Sequence, residues 1–278
     1  MAFQPIIDWR QGRIFGYEAL VRTDEPSMRS PLDLIDAAER LGRLNELGRA
    51  IRARVASAAA EGPQDATFFV NLHASDLNDD DLFSASAPLT KIAGRVVLEV
   101  TERASLHGLS DVMDRVTRLK ALGFQVAIDD LGAGYSGLTS FTQLDPEIAK
   151  FDLSLVRDID TDARRQIILR SMTHLCDELG ILVVAEGVET AAERDTLVEL
   201  GCNLFQGYQF GKPDRGFAPM LTQHVESKPG RAADALGPVV ISLEKSNAPS
   251  PVITRSAAQV PRPWSIARAT STMIWSSR

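Results

Sequence analysis

Cysteine is scarce in this chain. The two present, Cys176 and Cys202, make no CxxC pair and no metal-type spacing. That excludes a disulfide scaffold and a thiolate zinc site, and both read as buried apolar residues in a reducing cytosol. No stretch approaches the roughly 20 apolar residues that a membrane-spanning helix needs. The opening MAFQPIIDW lacks a basic n-region and an apolar h-region, which excludes a signal peptide. Positive charge is in deficit: 30 Lys and Arg against 37 Asp and Glu leave −7, so the protein as a whole has no footprint for duplex nucleic acid. A small anionic ligand remains open, because a bound metal reverses the sign locally. The expectation is a soluble cytoplasmic protein.

What is present is a repeated pattern. Seven short apolar runs each end in polar residues suited to metal or ester chemistry. They are IFGYEALVR with Glu18, TFFVNL with Asn71, VVLEVTE with Glu99 and Glu102, FQVAIDD with Asp129 and Asp130, EIAKFD with Lys150, ILVVAEGVE with Glu186 and Glu189, and NLFQG with Gln206. Most precede a segment of helical period. Catalytic groups at the C-terminal ends of parallel strands converge on one mouth, so seven such ends imply one shared site. At 278 residues and 44% apolar, the chain is long enough for a (β/α) barrel of about 250 residues.

The alternation runs from residue 3 to about 224. FQPIIDW and RIFGYEALVR flank a Gln11-Gly12 turn too short for a parallel crossover, so the barrel opens with an antiparallel hairpin. Leu34, Ile35, Ala38 and Leu41 fall at helical spacing after Pro31, with Gly42 splitting that stretch into two helices. Further helices are predicted over 109–122, 162–179 and 190–200, each followed by a glycine: Gly123, Gly180 and Gly201. The expected fold is a TIM-type (β/α)8 barrel with an antiparallel first strand over 1–224. Residues 225–278 carry seven basic and three acidic residues without sustained periodicity and read as a poorly ordered tail.

Alternate strand residues share a face, which groups Glu18 with Leu20 and Arg22, and Lys150 with Asp152. Arg22 offers a fork suited to phosphate. Glu18, Asn71, Glu99, Asp129 and Asp130 form an all-oxygen set that selects Mg²⁺ or Mn²⁺ over zinc, and several carboxylates at one mouth suit two metals and phosphodiester cleavage. Lys150 in an apolar strand is costly unless carboxylates or a metal-bound water meet it. Glu186 can accept a proton or complete a metal shell, and Gln206 can orient a water or bind a base edge. Each has a structural alternative: an arginine partner for Glu18 or Glu99, a helix cap for Asn71, an ion pair for Lys150. Taken together the set favours one site. DDLGAGYSG adds a glycine-rich loop beside the acid pair, at 129–137.

In order, YEALVR, VNL, LEVTE, DDLGAGYSG, KFD, AEGVE and FQGYQFGKP resemble the EAL family of cyclic di-GMP phosphodiesterases over about three-quarters of the chain. The resemblance implies the same barrel and hydrolysis of cyclic di-GMP to linear pGpG. It implies one metal on Glu18, Asn71, Glu99 and Asp129, and a second, or its waters, on Asp129, Asp130 and Glu186, with Mg²⁺ or Mn²⁺ active and Ca²⁺ inhibitory. Lys150 and Glu186 match water activation, and Gln206 matches site organisation. Arg22 matches the phosphate contact; Gln4, Leu20 and Asp152 join it as substrate-binding positions. Glu102 matches the anchor of the glycine loop, which is linked to homodimerisation, and Glu189 another site-lining acid. The chain departs from the pattern at Leu131, Ala133, Gly137, His73 and Thr23. No sensory domain is visible, so regulatory input is missing or comes from a separate partner. The alternative reading is a weak or inactive EAL domain that serves as a cyclic di-GMP receptor or scaffold.

Overall fold

The computed structural model describes residues 1–28, 30–101, 111–133 and 137–218. Glu102, much of the glycine loop and the whole 225–278 tail lie outside them. Eight strands close into a barrel in sequence order: β1 (Ala2–Asp8), β2 (Arg13–Leu20), β3 (Thr67–Leu72), β4 (Val96–Thr101), β5 (Gln125–Leu131), β6 (Ile148–Phe151), β7 (Leu182–Ala185) and β8 (Leu204–Phe205). β1 runs antiparallel to both β2 and β8, and every other neighbouring pair is parallel. The hairpin expected from Gln11-Gly12 is therefore present, and the barrel closes through it.

The helices follow from local signals. α1 (Pro31–Arg40) carries a capping box between Ser30 and Asp33, with Pro31 in its first turn. α2 (Leu44–Glu61) begins after Gly42, whose φ of 67° ends α1. α3 (Val112–Ala121), α6 (Ala163–Glu178) and α7 (Ala191–Glu199) occupy the predicted helical stretches, followed by Gly123, Gly180 and Gly201 at positive φ. Two short helices were not anticipated: α4 (Gly137–Leu144), just past the glycine loop, and the single turn α5 (Leu153–Val156). Between β3 and β4 the crossover contains three short 3₁₀ turns among the described residues, in a stretch crowded with Asp, Asn, Ser and Pro.

The interior explains how the site is held. Ile6, Phe69, Val97, Ala127, Ile148, Val184 and Leu204, one from each of seven strands, pack into a single buried cluster, with Phe15 of β2 against it. Two residues further toward the mouth on the same face stand Gln4, Asn71, Glu99, Asp129, Lys150, Glu186 and Gln206. An apolar floor thus lies directly beneath a polar layer. On β1 the step runs backward in sequence, from Ile6 to Gln4, because that strand is antiparallel.

One glycine fixes the last strand end. Gly207 has φ of 155°, and a Cβ there would overlap the backbone of Val188, whose N–H donates to Gln206 O at 3.0 Å. Gly207→Ala is expected to cost at least about 2 kcal/mol of stability. Gly94→Ala, where a Cβ meets open space, should stay within about 1 kcal/mol. Urea denaturation of both variants checks this, and equal losses would contradict it.

Candidate active site

The polar layer centres on Lys150. Its Nζ lies 2.6 Å from Glu99 Oε1, 2.6 Å from Glu186 Oε1, 2.9 Å from Asp129 Oδ1 and 3.8 Å from Glu18 Oε2. Its side chain is 1% exposed and that of Glu99 is 0% exposed. A lone ammonium at such depth would lose its proton. Burial does press the Lys150 pKa down, but Asp129, Glu18, Glu186 and Glu99 together hold it well above the ordinary lysine range.

The carboxylates feel the opposite imbalance. Four of them share one ammonium, so three negative charges are left over when all are ionised. Burial, with Glu18 and Asp129 nearby, raises the Glu99 pKa well above the ordinary carboxylate range despite Lys150. Burial, with Asp129 and Glu18, pushes Glu186 up to about 8 against the pull of Lys150. Glu186 still keeps 17% of its side chain exposed and faces the cleft.

Amides complete the ring. Asn71 Nδ2 donates to Glu18 Oε1 at 3.0 Å, and Gln206 Nε2 donates to Glu18 Oε2 at 2.6 Å and to Gln4 Oε1 at 3.2 Å. Gln4 Nε2 in turn donates to Gly211 O at 3.1 Å. Both oxygens of Glu18 are thereby fixed in place.

Asp129 and Asp130 are neighbours on β5, where strict alternation would send their side chains to opposite faces. The β5–β6 register slips between Ile128 and Leu131, and Asp130 has a left-handed φ of 56°. This bulge turns the second carboxylate to the same side as the first. One carboxylate oxygen each from Asp129, Asp130 and Glu186 falls within 4.8 Å of the others, close enough to share one cation.

The residues fit a hard divalent metal. Apart from the Lys150 ammonium, both oxygens of Glu99 and Oδ1 of Asp129 have no hydrogen-bond partner among the described residues, although they are buried. Gln206 Oε1 is likewise unpartnered. Buried oxygens without donors are costly, and a cation satisfies them.

A cleft of about 340 Å³ opens above this layer, lined by Gln4, Glu18, Asp129, Asp130, Lys150, Glu186, Glu189 and Gln206. The structure therefore brings together most residues singled out in the sequence. Arg22 lies past the end of β2 at Leu20, where strand alternation stops. Arg22 is exposed, donates to Val21 O at 2.8 Å and lines a separate cavity with Arg54 and Arg215. Leu20 is only partly buried. Asp152 lies past the end of β6 and caps α5, accepting from Ser154 N at 2.9 Å. Two lining residues, Leu153 and Arg157, were not singled out in the sequence, and Tyr208 entered only within the FQGYQFGKP match. Arg157 and Tyr208 sit on loops, where neither strand nor helix period applies, and Leu153 opens the single turn α5. Arg157 pairs with Glu189, another residue of the cleft lining.

Comparison with known proteins agrees with this geometry. A family model described as the EAL domain matches residues 1–213. An uncharacterized signaling protein of Caulobacter vibrioides is 35% identical over 217 residues, covering 76% of this chain and 27% of its own length. A probable cyclic di-GMP phosphodiesterase of Escherichia coli, PdeG, is 33% identical over 221 residues, covering 76% of this chain and 44% of its own. Klebsiella pneumoniae BlrP1, in a complex with calcium and cyclic di-GMP, superposes with a TM-score of 0.70 at 33% identity, over 77% of this chain and 55% of that one. The chain thus spans less than half the length of these two sequence relatives.

The Glu186 shift gives a signed expectation. Its folded pKa is raised, so the folded state holds the proton more tightly than the unfolded state. The stability this contributes is fully present below about 4.5 and is lost as pH climbs through about 8. A divalent ion competes with that proton. The rise in Tm on adding Mn²⁺ should therefore be larger at pH 8.5 than at pH 6. Thermal unfolding at both pH values checks this, and an equal or smaller shift at pH 8.5 would contradict it.

Proposed function

The chain belongs to the EAL family of cyclic di-GMP phosphodiesterases, and on that premise we propose that it hydrolyses cyclic di-GMP to linear pGpG with two Mg²⁺ or Mn²⁺ ions. The observation that carries this is the buried Glu99 carboxylate and the Asp129 oxygen beside it, which among the described residues meet only the Lys150 ammonium.

Glu18, Asn71, Glu99 and Asp129 would hold one ion; Asp129, Asp130 and Glu186 would hold the other. Bound there, such ions acidify a water and draw charge from the phosphoryl oxygens. The remaining work belongs to the chain. The Lys150 ammonium keeps its proton and places positive charge beside Glu186, Asp129 and Glu99, where negative charge gathers on the reacting phosphate. Glu186, which faces the cleft 2.6 Å from Lys150 Nζ, takes the proton of the attacking water. The water oxygen joins phosphorus, the P–O3′ bond breaks and the 3′ oxygen takes a proton from solvent while Glu186 returns its own to solvent, giving a 5′-phosphate and a free 3′-hydroxyl. Gln206 and Asn71 fix the Glu18 carboxylate, and Gln4 holds Gln206. The apolar floor beneath keeps water from entering the polar layer from below.

Ca²⁺ is expected to support binding without turnover, because it accepts longer and looser coordination. The BlrP1 complex that holds both calcium and cyclic di-GMP supports this expectation. A homodimer and a separate regulatory partner remain part of the proposal.

The test is chromatography of a cyclic di-GMP digest with Mn²⁺. Wild type should yield pGpG, while Glu18→Ala, Asp129→Asn and Lys150→Met should each lower kcat by at least about 100-fold. Intact cyclic di-GMP at high enzyme concentration sinks the catalytic reading, and tight binding without turnover would assign a receptor instead.

A further inference from the structure

Asn71 is held at few points. It is exposed where Glu18 and Gln206 are buried, and among the described residues its one side-chain hydrogen bond is the 3.0 Å contact to Glu18. Pairing of β3 with β2 stops at Val70, so at Asn71 and Leu72 only β4 still pairs with the strand. The chain then enters a 3₁₀ turn at Ala74–Asn78 instead of an α-helix. Whatever fixes that turn also fixes the end of β3.

A charge network outside the acid cluster does so. Arg52 of α2, 4% exposed, donates through Nη1 to Asp76 Oδ1 at 2.7 Å and through Nη2 to Asp79 Oδ2 at 2.6 Å. Both carboxylates are buried. Asp76 Oδ2 accepts from the backbone N–H of His73, two residues past Asn71, at 3.0 Å, and the Asp76 N–H donates to His73 O at 2.9 Å. Arg49 reaches Asp79 from the solvent side, with Nη2 at 2.6 Å from Oδ1. Arg49, working against burial, holds the Asp79 carboxyl down at about 2, so it stays ionised at neutral pH. Gly48 leaves room for the whole arrangement, because a Cβ there would overlap Asp76 Oδ1 and crowd Arg52 Nη1. A capping box by itself would shape the turn. A buried ion pair adds little net stability over apolar packing, but it does fix geometry.

We propose that Arg52 and Asp76 are positioning residues for the metal site: through the His73 backbone they fix the end of β3 and hold Asn71 where its side chain meets both Glu18 and an ion, which rests on the two-metal reading above. Arg52 touches neither ion nor substrate. Its guanidinium holds Asp76, and Asp76 holds the His73 N–H, so the strand end cannot swing. Asn71 offers an ion a neutral amide oxygen, whose contribution depends on placement more than on charge. Loosening the network therefore weakens metal binding and leaves the chemistry intact once the metal is bound.

The experiment is calorimetric titration with Mn²⁺, no nucleotide present, of wild type, Arg52→Met, Asp76→Asn and Arg49→Met. Hydrolysis of cyclic di-GMP across a Mn²⁺ series runs alongside. Arg52→Met and Asp76→Asn should weaken Mn²⁺ binding about 10-fold and raise the Mn²⁺ needed for half-maximal rate by a similar factor. At saturating Mn²⁺ their kcat should return to within about 3-fold of wild type. Arg49→Met, which leaves the Arg52–Asp76 link whole, should lower Tm yet bind Mn²⁺ within about 2-fold of wild type. A merely structural role predicts lower Tm with unchanged Mn²⁺ affinity in all three variants, and that result overturns the proposal. So does a loss of kcat that Mn²⁺ does not restore. If Arg52→Met does not fold, the nearly isosteric Asp76→Asn decides. A wild type that binds Mn²⁺ but leaves cyclic di-GMP intact defeats only the catalytic reading, and the calorimetry then judges the positioning role by itself.

Discussion

A single ammonium group holds this barrel mouth together. Lys150 is buried on a short strand, and its Nζ meets carboxylates from four other strands: Glu18 on β2, Glu99 on β4, Asp129 on β5 and Glu186 just past β7. Without it, those acids would sit in a dry pit and repel one another. With it, they converge but are not neutralised, because one positive charge faces four negative ones. The raised proton affinities of Glu99 and Glu186 express that residue of negative charge. A site that binds protons too tightly for want of cations is also one prepared to take divalent ions in their place.

The layer beneath makes this affordable. Seven of the eight strands place one apolar side chain in the barrel floor and a polar one two residues nearer the mouth. The pleat of a strand sets that two-residue step, so most of the site is precise without loops having to position it. Backbone irregularities add what the pleat cannot. The bulge at Asp129–Asp130 lets adjacent carboxylates face one way, and the backbone approach at Gly207 sets the carbonyl and side chain of Gln206.

The outer lip is built differently. Arg157, Glu189 and Tyr208 belong to loops, and the buried Glu193 accepts from the backbone N–H of Glu189 and of Asp158, next to Arg157. The mouth therefore has two parts of distinct origin: a reactive centre set by strand geometry and a rim set by loop contacts.

The sequence by itself determined the barrel, its antiparallel opening and the polar ends of its strands. Periods of two and 3.6, glycine stops and hairpin length are local signals, and local signals survive in one dimension. It also identified Glu18, Asn71, Glu99, Asp129, Asp130, Lys150, Glu186 and Gln206, because each follows an apolar run. Gln4 breaks that rule and was legible only by family resemblance, since an antiparallel strand brings its beginning to the mouth. Only the tertiary structure decided the rest. It showed that Lys150 bridges four acids and that a left-handed Asp130 turns its carboxylate toward Asp129. It also placed Arg22 past the end of β2, in a cavity with Arg54 and Arg215, and brought Arg157 onto Glu189 from 32 residues away. Each of these depends on closure of the sheet or on a loop crossing it, and neither leaves a period in the chain.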